Sequence, residues 1–118
     1  MLYKCEGHKK IAIKITVKHA QTINEQTKGL MFLKKKNFDF ALIFHFKSSN
    51  RFFNSIHMFF VFFPIITIFL DDKKKVVDKK ILTPFYPFYM SKKSCKYLIE
   101  MPIKFKNKIK IGDKLNWN

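Results

Sequence analysis

The chain has 118 residues, of which 47% are hydrophobic and 15 are Phe, and a formal net charge of +16. That length fits one domain, 1–118, with enough apolar material for a core, which excludes a two-domain division and a chain disordered for want of hydrophobic residues. Two cysteines, Cys5 and Cys95, exclude a disulfide framework and read as reduced thiols of a cytoplasmic protein.

Residues 1–10 are broken by Lys4, Glu6, His8, Lys9 and Lys10, so no secretory signal is expected there. Ile11, Ile13, Ile15 and Val17 alternate with Ala12, Lys14, Thr16 and Lys18, the period-two pattern of a half-buried strand. Thr22 stands three residues before Glu25, and Gly29 follows. Residues 22–28 are therefore predicted as a short helix, opened by a capping box and closed at a position with positive φ. Leu30, Met31, Phe32 and Leu33 are expected to drop into the core, and 34–37 to form a solvated turn.

Strand patterning resumes with Phe38, Phe40, Leu42, Phe44 and Phe46 on one face and Asp39, Ala41, Ile43, His45 and Lys47 on the other. After a turn at 48–50, a buried strand is predicted from Arg51 or Phe52 to Phe60. Pro64 cannot donate to a ladder and marks the boundary before a strand at 65–70. The apolar run 56–70 is shorter than the roughly 20 residues a membrane-crossing helix needs, and His57 and Pro64 interrupt it. Two buried strands are expected there, and no membrane insertion. Residues 71–74 form a connector of hairpin length, returning through Val76 and Val77 to Ile81 and Leu82. Pro84 and Pro87 make 83–89 irregular. Cys95, Tyr97, Ile99 and Met101 form another alternating strand. Ile103, Phe105, Ile109 and Ile111 alternate with lysines and read as extended. Gly112-Asp113 is a turn before a short final strand carrying Leu115 and Trp117.

With these elements placed, Thr22-Ile23-Asn24-Glu25-Gln26-Thr27-Lys28-Gly29-Leu30-Met31 resembles the pattern T-x-x-E-R-x-R-G-L-M. That pattern belongs to the domain of unknown function 192 family of small archaeal and bacterial proteins. Residues 55–65, continuing to Ile68-Phe69-Leu70-Asp71, are similar to the central motif of its archaeal members. Further matches are Pro84-Phe85, Tyr97-Leu98-Ile99-Glu100-Met101-Pro102, and Lys110-Ile111-Gly112-Asp113-Lys114-Leu115. The resemblance covers about residues 20 to 115 and implies a compact β-barrel or clam-like antiparallel sheet with one short helix near residues 22–28. This agrees with the mainly β reading of the alternation. It implies no established activity, and for 103–111 it implies a looser turn or short helix rather than a strand. The chain departs from the family pattern in three places. Ile66 replaces a common acid after Pro64-Ile65. Phe59 and Phe60 stand where many bacterial relatives carry Lys and Asn. Gln26 and Lys28 replace an Arg pair, losing planar bidentate recognition of an anion. Any shared polar pocket is thereby more apolar here.

Catalytic and metal chemistry find little support. The four histidines are His8, His19, His45 and His57, and Cys5-x-x-His8 has no second pair to complete a zinc site, so no metal and no cofactor are expected. The serines lack a nucleophile-elbow context. Gly7, Gly29 and Gly112 are too far apart to cradle a phosphate. The acids sit mostly in turns, on strand faces or at the helix start, where capping explains Glu25. No enzyme is predicted.

The preferred reading is a binding or structural module whose apolar cavity takes a small ligand or peptide. Its candidate lining is Glu25, Lys28, Met31, His57, Met58 and Ile66, with His57 weighed against an ordinary hydrogen-bonded core histidine. The alternative is non-specific nucleic-acid binding through Lys34, Lys35, Lys36, Lys73, Lys74, Lys75, Lys92 and Lys93, with Phe85, Tyr86, Phe88 and Tyr89 stacking on unpaired bases. Against that stands a compositional explanation. Lys, Phe, Ile and Asn share AT-rich codons, and scattered lysines keep a Phe-rich domain soluble. A monomer or weak homodimer is expected.

Overall fold

The structure is a computed structural model that describes residues 1–47, 58 and 60–117, apart from the side chain of Ile23. The candidate His57 and most of the strand predicted from Arg51 or Phe52 to Phe60 lie outside the described residues; its expected last residue, Phe60, stands in a turn at φ 61°.

Two sheets carry the fold. The smaller has the order β2-β1-β8, with β1 Leu2–Glu6, β2 Lys9–Ile13 and β8 Lys114–Trp117. The larger has the order β3-β4-β7-β5-β6, built from β3 Thr16–Ala20, β4 Phe40–His45, β5 Ile65–Leu70, β6 Val76–Leu82 and β7 Tyr97–Pro102. Among the described residues the fold is thus mainly β with one short helix, α1 Ile23–Lys28, and two sheets that do not close into a barrel. Five of the six strand pairings among the described residues are antiparallel; β3 and β4 run parallel, because segment 21–39 is long enough for a crossover carrying the helix.

Side-chain alternation splits the interior into two cores on opposite faces of the larger sheet. Phe40, Leu42, Phe44, Phe46, Ile65, Phe69 and Leu98 point into one, where Leu30, Phe38, Met58, Val61 and Phe63 cover them. Ala41, Ile43, Ile66, Ile68, Leu70, Ile99 and Met101 point into the other, against Leu2, Ile13, Ile15 and Leu115, the last carried by the small sheet with Leu2 and Ile13. All six residues of β5 are buried, as expected of a strand covered on both faces.

The sequence reading needs correcting in three places. The alternation of Ile11 to Val17 continues through Lys14-Ile15, but the backbone breaks there and hands the chain from one sheet to the other. Period two records burial and is blind to that change of partner. Residues 103–111 are not extended: Ile103–Phe105 is a single 3-10 turn, followed by further turns to the final strand. Ile103 and Phe105 are half-buried, Ile109 is buried and Ile111 is exposed, so the alternation was compositional. Of 30–33, Leu30 is buried, Met31 and Leu33 are half-buried, and Phe32 points outward.

Candidate functional site

The helix is short but fixed at both ends. Thr22 Oγ1 accepts from Glu25 N, and Glu25 Oε1 accepts from the backbone N–H of Thr22 and Gln21, completing the predicted capping box. These bonds hold the Glu25 carboxyl below the usual carboxylate range. At the other end Gly29 adopts φ 46°, ψ −121° while its N–H bonds Glu25 O, a conformation that glycine alone takes without cost. Between them Gln26 Nε2 donates to Ala20 O at 3.1 Å and to His45 O at 2.8 Å. One side chain thus ties α1 to the ends of two parallel strands.

Beside this helix lies a concave opening of about 400 Å³. Lys18, His19 and Ala20 of β3, Phe40 and Leu42 of β4, and Glu25 with Lys28 of α1 line it. Gly29, Met31, Phe32 and Leu33 complete it. Apolar side chains form its body and charged ones its rim, with Lys18 Nζ resting 4.1 Å from the centre of the Phe40 ring. A second, shallower groove of about 580 Å³ is lined by Met1, Lys14, Ile15, Thr16, Val17 and Asp39. It is more open and less apolar, which makes it the weaker site for a small molecule.

Behind the first cavity stands a buried acid. Glu100 is 5% exposed. It pairs across the sheet with Leu42 on one side and Thr67 on the other. A Cβ built on Gly29 would stand 3.7 Å from its Oε1, and that oxygen has no hydrogen-bond partner among the described residues. Burial pushes its pKa up to about 8, so the carboxyl is neutral at pH 7. On the opposite face, His19 Nδ1 and His45 Nε2 lie 2.7 Å apart, and Tyr97 and Trp117 meet the His45 ring edge-on. Burial, then the neighbouring His19 and Lys74, lower the His45 pKa.

The structure brings together Glu25, Lys28 and Met31 at the cavity. It places Met58 fully buried in the aromatic core and Ile66 on the far side of the sheet, neither at this opening. Glu100 and Gln26 were missed. The signal for Glu100 was an acid in register with inward-facing Leu98, at i+2 on an alternating strand. The lysines fall at both ends of the large sheet: Lys34, Lys35 and Lys36 precede β4, whereas Lys73, Lys74 and Lys75 follow β5 at the opposite end. Lys74 is engaged by the Trp117 ring at 4.3 Å and by Asn116 Oδ1. Lys92 and Lys93 are exposed, and Lys92 N–H bonds the buried Asp78. Of the aromatics proposed for stacking, Phe85 and Phe88 are exposed, while Tyr86 and Tyr89 pack against the core and Tyr89 donates to Asp78. Among the described residues no three His, Cys, Asp or Glu gather as a metal site, and no helix is long and apolar enough to cross a membrane. Cys5 is half-buried and Cys95 buried, and no disulfide joins them.

With this geometry in hand, comparisons locate the chain among known proteins. A UPF0127 protein of Thermococcus sibiricus is 40% identical over 86% of this chain, the match spanning 65% of that protein's own length. One of Pyrococcus furiosus is 36% identical over 90% of both. Among solved structures, a Sinorhizobium meliloti protein described as a candidate transcription regulator aligns with TM-score 0.79 at 16% identity, over 98% of this chain and 90% of that one. A protein of unknown function from Novosphingobium aromaticivorans aligns with TM-score 0.75 at 19% identity, over 98% of this chain and 83% of that one. At those identities the structural matches speak to the fold alone. The model of the DUF192 family, "Uncharacterized ACR", matches residues 4–117, and the chain belongs to this DUF192/UPF0127 family.

Proposed function

We propose that this protein is a binding module whose site is the cavity between α1 and the edge of the large sheet. It takes a small amphipathic molecule or a short peptide. The observation that carries the reading is the lining itself. Met31, Leu33, Phe40 and Leu42 offer an apolar wall, and Lys18, Lys28 and Glu25 stand around it. The volume, about 400 Å³, falls in the range of small-molecule sites, which combine an apolar body with a few placed charges. Lys18 and Lys28, in a chain of net charge +16, favour an acidic group on the ligand. The site offers an apolar shape ringed by a few charges, which suits binding.

A thermal-shift screen of carboxylate-bearing fragments and short acidic peptides tests this. Hits are expected to stabilise the wild-type protein and to lose their effect when Lys28 is replaced by Glu. Hits that stabilise Lys28→Glu equally well place the ligand elsewhere, and a screen without hits removes the reading.

A further inference from the structure

One end of the large sheet carries an aromatic surface that extends beyond the cavity and shares Phe32 with its lining. Phe32, Phe60, Phe62 and Phe85 are each between 46% and 66% exposed. They come from three loops that the sheet register brings to the same end, before β4, before β5 and after β6. Phe32 N–H bonds Phe60 O at 2.8 Å. The Phe32 and Phe60 rings stack at 4.9 Å, and Phe85 meets Phe60 and Phe62 edge-on at 6.4 and 5.3 Å. Phe32, Phe60 and Phe85 also have φ between 61° and 64°, a left-handed conformation that is costly for bulky residues and that persists at functional sites.

The same end is basic. Segments 30–39, 60–64, 83–90 and 103–108 hold Lys34, Lys35, Lys36, Lys104, Lys106 and Lys108 against one acid, Asp39, and all six lysines are exposed. We infer that this end of the protein docks on an anionic lipid surface, with the phenyl rings entering the headgroup region and the lysines meeting lipid phosphates. Basic side chains around exposed aromatics suit such an interface. A second copy fits less well. Four half-exposed rings offer on the order of 400 Å², short of the roughly 800 Å² each partner gives to a stable interface, and two chains of +16 repel. Nucleic acid fits less well too. Phe32 and Phe60 stack on each other, so the rings make one hydrocarbon surface rather than separate platforms for bases. The docking needs none of the cavity's charged residues and stands apart from the ligand-binding reading.

Co-sedimentation with phosphatidylglycerol vesicles, against phosphatidylcholine vesicles, tests it. The full chain is expected to pellet with the anionic vesicles only and to be released by salt. Phe62→Ser combined with Phe85→Asn, neither residue lining the cavity, is expected to weaken binding by about tenfold or more, since each buried ring carries about that factor. Asn tolerates the left-handed backbone at position 85, and an unchanged melting temperature certifies the fold. A second variant, with Lys34, Lys35 and Lys36 all changed to Glu, is expected to lose vesicle binding with its rings intact. Undiminished pelleting of the Phe62→Ser, Phe85→Asn protein overturns the proposal. So does wild-type binding to single-stranded DNA stronger than to the vesicles, or a wild-type dimer that those two substitutions dissolve.

Discussion

Gly29 and Glu100 meet where the helix closes on the sheet: the glycine's missing side chain would stand 3.7 Å from the acid's Oε1 and 3.4 Å from the Phe44 ring. The close approach of backbone to core seals the carboxyl from water. Desolvation alone raises its pKa from 4.5 to about 8. Between those values the unfolded chain has released the proton and the folded chain retains it, so stability falls as pH rises from about 4.5 to 8 and levels off above. Glu100→Gln is expected to flatten that slope and to stabilise the protein at pH 7 by a few kcal/mol. Urea unfolding at pH 5 and pH 8 measures it; a variant less stable than wild type at pH 8 contradicts the burial argument.

Gly29→Ala probes the other partner. Its backbone, at φ 46°, disfavours any L side chain, so a loss of about 1–2 kcal/mol is expected from conformation alone. Chemical denaturation measures the loss, and an unaffected midpoint contradicts the assigned strain.

How much of this was legible beforehand follows from which signals are local. The helix over 22–28 was readable because its cap is written in four adjacent residues, and Thr22, Glu25 and Gly29 all took their expected roles. The faces of β4 were readable from period two, as was the start of β5 after Pro64. The break at Lys14-Ile15 was not, because it depends on which sheet each half joins. Within the site, Glu25, Lys28 and Met31 could be grouped because they share one helix and its exit. Glu100 reaches the same place only through the pairing of β7 with β4, a contact 58 residues from Leu42 that no local pattern records. Ile66 was grouped with the site by proximity to a motif, but it is one residue out of phase with Ile65 and faces the other core.

Gln26 carries the helix-to-sheet tie. Gln26→Ala removes the donor to both Ala20 O and His45 O and is expected to cost about 1–2 kcal/mol. Gln26→Arg restores donors for both carbonyls and is expected to recover most of that loss. Thermal melts of the two variants distinguish the hydrogen bonds from simple packing; equal losses in both contradict the assignment.

The His19–His45 pair gives a pH response of the opposite sign. Burial, then the neighbouring His19 and Lys74, hold the folded His45 pKa below its ordinary value. The unfolded chain therefore takes up the proton first. Stability is lost as pH falls below about 6.5 and continues to fall through the lower folded value. The Glu100 effect runs against this between about 4.5 and 6.5, so the clean experiment uses the Glu100→Gln background. There, His45→Phe is expected to abolish the remaining acid-side loss, and persistence of that loss assigns it to another group.

The cavity itself is tested most directly by its methionine. In a protein carrying carbon-13 in its Met methyl groups, Met31 reports on the cavity, Met1 on the second groove and Met101 on the opposite core. Titration with the fragments that raise the melting temperature is predicted to shift the Met31 signal in proportion to binding and to leave Met1 and Met101 in place. Stabilising fragments that move Met1 or Met101 while Met31 stays fixed contradict the site described here.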